Sequence, residues 1–171
     1  NTLKYSPFKS YTSLYKNYYI LGQTIIDKFA AMSGMSSKFS LNYNGLEYLK
    51  EIDKNGSGAI LLSAHIGNYE IAGFYLNELK TPINIIMYDG EQNAIKETLQ
   101  ASGFKRDNHI IYIKNDMSHV FEIANKLINK EIIIIHADRF QHDMKTIEVE
   151  VLRRSASLPL GPFQIASKFK N

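Results

Sequence analysis

The chain has 171 residues, 44% of them hydrophobic and 22% charged, with no cysteine and a formal net charge of +3. That length and balance suit one globular domain and exclude collagen-like, disordered and repeat architectures. The missing cysteines exclude disulfides and cysteine–zinc sites, and no stretch reaches the ~18–20 apolar residues of a membrane-crossing helix.

From Thr12 to Met32, the residues Leu14, Tyr18, Leu21, Ile25, Phe29 and Met32 recur at three- and four-residue spacing. This is the stripe of an amphipathic helix, with Thr12 or Ser13 as its N-cap. Tyr15, Tyr18 and Tyr19 have apolar bodies and polar tips, which suit a core edge or a membrane interface; core packing is the favoured reading. Ser33-Gly34-Met35-Ser36-Ser37 breaks the pattern. Residues 39–43 read as a short strand and Leu46–Ile52 as a helix ending near Asn55-Gly56-Ser57-Gly58. Ala59–Ser63 is a continuous apolar run, typical of a strand buried on both faces.

A helix is expected over 68–79, a strand over 83–87, a helix over 92–102 and a strand over 110–113. A helix capped by Ser118 should run to Asn129, with a strand over 131–135. Ile147–Leu152 alternates as an edge strand would. Leu158-Pro159-Leu160-Gly161-Pro162 reads as a loop opening a helix at Phe163. Strands alternating with helices predict an α/β fold, a mostly parallel central sheet flanked by helices. No linker divides the chain, so residues 1–171 form one domain.

In such sheets, chemistry collects at the carboxyl ends of the strands. Two polar clusters fall there: Ser63-Ala64-His65-Ile66-Gly67-Asn68-Tyr69-Glu70 after one strand, and His136-Ala137-Asp138-Arg139 after another. His65 sits between a buried strand and a helix. Glu70, in the first turn of that helix, can fold back on the imidazole, fix its tautomer and make it a better base. Gly67 permits a tight turn, and Asn68 can cap the helix or donate to an oxyanion. His109, His119 and His142 lie in turns or helix starts without similar company.

The string His65-Ile66-Gly67-Asn68-Tyr69-Glu70 is an H-x4-E motif behind an apolar strand. It resembles the signature of the lysophospholipid acyltransferase superfamily, in particular the lipid A biosynthesis acyltransferases of the lauroyl and myristoyl transferase group. Ala137-Asp138-Arg139 is similar to that family's Asp-Arg element. Ala156–Ala166, with Pro159-Leu160-Gly161-Pro162 at its centre, is similar to its Pro-x-Gly-Pro segment. The three motifs occur in the family's order, and the resemblance spans about residues 12–171. It implies a glycerolipid acyltransferase-like fold and a chain that is part of a longer protein.

The resemblance also implies transfer of a fatty acyl group from an acyl carrier protein or coenzyme A thioester to a hydroxyl of a lipid A precursor or related glycolipid. His65 would be the general base and Glu70 its orienter. Asn68 or helix-start N–H groups would meet the oxyanion, and the acyl thioester is a substrate, so no further cofactor is expected. Arg139 would bind an acceptor phosphate or carboxyl or pair with Asp138; Arg106 is a further candidate for an anionic contact. Glu148 and Glu150 share one face of a strand, which reads as an exposed edge. The implied location is peripheral, on the cytoplasmic face of the bacterial inner membrane.

Charge is unevenly spread in a way that bears on partners. Residues 1–54 hold seven lysines against four acids, and residues 144–171 hold five Lys/Arg against two. The middle, 55–143, has eight basic against eleven acidic groups. The basic ends suit an anionic lipid or acyl-carrier surface, or are plain solvated faces. The acidic middle and the lack of a basic aromatic stripe disfavour nucleic acid, and there is no Gly-rich phosphate loop. A competing reading is a metal-dependent hydrolase. His65, His136 and Asp138, with Asp89 on a neighbouring strand end, could then hold zinc with one open position.

Overall fold

The computed structural model describes residues 4–40, 42, 44–69, 76, 79–88, 109–114, 116–140 and 144–169. Four helices are described: α1 (Pro7–Met32), α2 (Leu46–Asn55), α3 (Ser118–Ile128) and α4 (Gly161–Lys168). The strands are β1 (Ala59–Ser63), β2 (Ile83–Tyr88), β3 (His109–Ile113), β4 (Ile132–His136), β5 (Thr146–Val151) and β6 (Arg154–Pro159).

β1 to β4 form one sheet in the order β1-β4-β2-β3, with every described pair parallel. The α/β class predicted from the alternating pattern is therefore found. The two central strands carry the deepest burial: Ile132, Ile133 and Ile135 of β4 and Ile83 and Ile86 of β2 are buried, whereas edge-strand β1 leaves Leu62 exposed. A parallel strand needs cover on both faces, and β-branched isoleucine suits its pleat. α3 supplies cover on one side through Ile123, which joins Ile86, Ile111, Ile133 and Ile135 in the core; Ile165 of α4 packs against the same cluster. Each such side chain stabilises by about 1.5–3 kcal/mol when fully buried.

Several boundaries move for local reasons. α1 begins at Pro7, not near Thr12. Ser6 is its N-cap, accepting from the Lys9 N–H at 3.3 Å, and Pro7 brings the fixed φ that a first helical residue needs. α3 is not capped by Ser118. The Asp116 carboxylate does that work, accepting from the Ser118 N–H at 3.0 Å and its hydroxyl at 2.7 Å. Around residue 40 the chain makes a 3-10 turn, Met35–Lys38, and residues 39, 40 and 42 are in no strand. α4 starts at Gly161, two residues before Phe163.

Of the stretch read as a loop before that helix, Leu158 and Pro159 are the end of a strand, β6. It pairs antiparallel with β5, from Thr146↔Pro159 to Val151↔Arg154, in a separate two-stranded sheet. Glu148 and Glu150 lie on β5, and Glu148 accepts hydrogen bonds from the Ser155 and Ser157 hydroxyls across the pair. These bonds hold its carboxyl below the usual range. Most of the helix expected over 68–79, and all of that over 92–102, lies outside the described residues, as do Glu70, Asp89, Arg106 and His142.

The core-packing expectation for the α1 stripe is overturned. Tyr11, Leu14, Tyr15, Tyr18, Leu21, Ile25 and Phe29 are all exposed, while Ala31 is buried and Ser13 and Thr24 are partly covered. At 100° per residue, Ser13, Thr24 and Ala31 share one line on the helix, well away from the aromatic stripe. A link from the domain to α1 falls on this line, where the Asn68 amide donates to the Thr24 carbonyl at 3.4 Å.

Candidate functional site

Parallel strands end on one edge of a sheet, so the neighbours β1 and β4 deliver their following residues to one place. Ser63 and His136 are register partners, and the Ala137 N–H donates to the Ser63 carbonyl at 2.9 Å, extending the ladder one step. Beyond that step the strands part, and His65 and Asp138 face each other across the gap.

The contact between them is two-pronged. His65 Nδ1 lies 2.9 Å from Asp138 Oδ1, and the His65 backbone N–H donates to Oδ2 at 3.0 Å. The loop is shaped for this: the Ile66 N–H turns back to the Ala64 carbonyl at 2.8 Å, and Gly67 takes a φ of 63°, which a side chain would strain. Both groups are partly buried, at 18% and 29% side-chain exposure. Burial pushes the Asp138 carboxyl up, but the hydrogen bonds from the His65 ring and backbone, and the charge of the imidazolium, outweigh it and hold the carboxyl below the ordinary aspartate range. Asp138 is therefore ionised at neutral pH and can only accept, so in the neutral form of the ring Nδ1 carries the hydrogen and the lone pair falls to Nε2.

Two rings enclose the imidazole. His136, the last residue of β4 and not the first of the following loop, lies 4.4 Å from it between centroids, tilted by 32°. Tyr69 meets both histidines edge-on, at 5.2 Å from His65 and 4.8 Å from His136. Such contacts fix a ring's orientation without using its nitrogens.

The two predicted polar clusters thus come together, with Asp138 beside His65. Asp138 meets His65 at Nδ1; Glu70, given the orienting part in sequence, lies outside the described residues. Arg139, next to Asp138, is exposed and makes no ion pair with a described residue. Asn68 is part-buried, and its amide donates to the Thr24 carbonyl of α1 at 3.4 Å. That amide bond is a link that sequence gave no sign of. His109 has company after all: it opens β3 and places Nε2 2.6 Å from Glu122. His119 accepts from the Lys114 N–H, and burial holds its ring below the usual histidine value.

His65, His136 and Asp138 each offer one donor atom within 4.8 Å of the others. This is the geometry that the metal reading requires, and it is equally a histidine held by a carboxylate under a second ring. Comparison with known proteins decides the reaction class. A family model described as bacterial lipid A biosynthesis acyltransferase matches residues 14–171, which takes in both sheets and the whole site. No curated protein matches the chain.

Proposed function

The chain belongs to the bacterial lipid A biosynthesis acyltransferase family and is an acyltransferase, and on that premise we propose that it esterifies a hydroxyl of a lipid A precursor or related glycolipid. The donor is a fatty acyl thioester on acyl carrier protein or coenzyme A, and His65 is the general base. The observation that carries this reading is the His65–Asp138 pair, with Nδ1 at 2.9 Å from the carboxylate.

The reaction follows from that tautomer. Nε2 takes the proton of the acceptor hydroxyl as its oxygen attacks the thioester carbonyl carbon. The tetrahedral oxyanion then collapses, expelling the thiolate, which recovers the proton from Nε2; the products are an ester and a free thiol. Asp138 steadies the imidazolium between the two steps. No serine or cysteine nucleophile takes part. Asn68 and backbone N–H groups of its loop are the donors available to the oxyanion. Glu70 completes the H-x4-E signature as a second acid, and Arg139, exposed beside the pair, binds an acceptor phosphate, with Arg106 as a further anionic contact. An amphiphilic acceptor lives in a bilayer, so the enzyme works peripherally, on the cytoplasmic face of the inner membrane.

The test is lipid mass spectrometry of cells with and without the gene, complemented with His65→Ala. The expected result is one acyl chain missing in both the deletion and the variant. A well-folded His65→Ala protein that restores the chain fully would overturn the mechanism.

A further inference from the structure

The site carries one donor more than proton transfer uses. A base and its carboxylate suffice for that step, yet the His136 ring lies 4.4 Å from the His65 ring between centroids. One donor atom from each of His65, His136 and Asp138 falls within 4.8 Å of the others, and all three residues are partly buried. Two imidazole nitrogens and a carboxylate oxygen make a mixed set that suits zinc and leaves a fourth position open. Among the described residues this is the one group of three or more such side chains drawn so close.

The spacing is near what an ion needs. Ligands ~2.1 Å from one tetrahedral ion stand about 3.4 Å from each other. His65 Nδ1 and Asp138 Oδ1, 2.9 Å apart, already lie inside that distance. The remaining spread, 4.8 Å at most, closes with a movement of about 1.4 Å. The loop that carries His65 follows an edge strand, so it has room to supply such a shift.

What capture would do follows from the ring. An ion between His65 Nδ1 and Asp138 takes the place of the shared hydrogen, and the neutral imidazole must then carry its hydrogen on Nε2. An ion on Nε2 occupies that lone pair directly, with Asp138 as the carboxylate behind a metal-bound histidine. In both arrangements Nε2 can no longer take a proton from a hydroxyl.

We propose that the His65–His136–Asp138 cluster captures a zinc ion and that capture reversibly stops acyl transfer by taking the general base. Magnesium prefers six oxygens in an octahedron, so a site with two imidazoles leaves it in solution. The effect on transfer rests on the reading of His65 as base, whereas binding is measured without any reaction. A metal-free chain that transfers no acyl group would therefore fail that reading, and a chain that binds no zinc would fail this inference alone.

The purified chain, stripped with EDTA and dialysed against zinc chloride, should hold one zinc at this site, and none of the magnesium offered instead. His136→Phe keeps a ring against His65 and removes its nitrogens, so zinc affinity should fall tenfold or more. His65→Ala should lose the ion likewise, which keeps the test standing if His136→Phe does not fold. His109→Gln removes the exposed histidine that meets Glu122 on α3, and it should bind zinc as the unsubstituted chain does. Acyl transfer is followed as ester product by mass spectrometry, because the released thiol itself takes zinc. Saturating zinc should lower the rate tenfold or more, and EDTA should restore it. His136→Phe, judged against its own metal-free rate, should need about tenfold more zinc for the same loss. Absence of bound zinc, unchanged binding by both cluster variants, or full transfer by the zinc-loaded chain would each overturn the inference. So would a requirement for zinc in turnover, because the ion would then be part of the reaction.

Discussion

Replacing Asp138 with asparagine preserves the shape beside His65 and removes the charge. The carboxylate accepts two hydrogen bonds from one residue, at 2.9 Å from ring Nδ1 and 3.0 Å from the backbone N–H. Asparagine offers one accepting oxygen and one donating amide, so both bonds cannot survive. With its oxygen on the backbone N–H, the amide meets Nδ1 as a donor, the ring proton moves to Nε2, and the basic lone pair is lost from the reacting side. With the oxygen on Nδ1, two donors oppose each other at the backbone, and the loop must shift. In both arrangements the imidazolium loses its counter-charge. The expected loss in kcat is ~10²–10⁴, or about 3–5 kcal/mol of transition-state stabilisation. Steady-state thiol release from an acyl thioester at saturating acceptor measures it, with KM nearly unchanged. A folded Asp138→Asn enzyme with kcat within about twofold of the parent would refute the tautomer argument.

Arg139 is exposed and unpaired among the described residues, so Arg139→Ala should raise KM for a phosphorylated acceptor with little change in kcat, as loss of uniform binding does; an unchanged KM removes Arg139 from the site. Because the folded Asp138 carboxyl lies below its ordinary value, its contribution to stability is complete above pH ~4 and is lost as pH falls through the lowered value. Chemical denaturation of the parent and Asp138→Asn should therefore show a gap at about pH 5 that closes under stronger acid. Gly58 has a φ of +70°, and a Cβ there would sit 2.8 Å from the Lys130 backbone just ahead of β4. Gly58→Ala should thus cost more than the ~1–3 kcal/mol of left-handed strain alone, read from the denaturation midpoint.

Local patterns carried most of the sheet. Runs such as Ala59–Ser63 and Ile132–Ile135 are short, apolar and bounded by turn residues, and each became a parallel strand within a residue or so of its expected limits. β6 was hidden because Arg154-Ser155-Ala156-Ser157-Leu158-Pro159 lacks strand-forming bulk and ends in proline. Its turn gives no help, since Leu152 and Arg153 hold φ of 52° and 63° where asparagine and glycine are the usual signal. The α1 stripe was plain from its spacing, but periodicity says only that a face is covered, not by what. Among its covered positions are Ala31, Thr24 and Ser13, two of them polar and one the smallest of the apolar side chains.

The site divides along the same line. An H-x4-E string is visible because both members sit on one short segment, and a local pair can be read by counting. The His65–Asp138 pair spans 73 residues, and it exists only because β4 inserts beside β1, ahead of β2 and β3 in the sheet order. Nothing in either segment announces that order; Ser63 and His136 become partners through topology, not composition. The arrangement has a mechanical consequence. Asp138 follows the most deeply buried strand of the sheet, whose Ile132 and Ile133 are fully enclosed, while His65 rides on a loop after an edge strand. The carboxylate follows the more deeply buried strand, and it holds His65 at two points, ring and backbone. Each grip would leave the other incomplete: a backbone bond alone would let the ring rotate, and a ring bond alone would let the loop slide. Together they set the direction of Nε2, and that direction is what proton transfer to an incoming hydroxyl depends on.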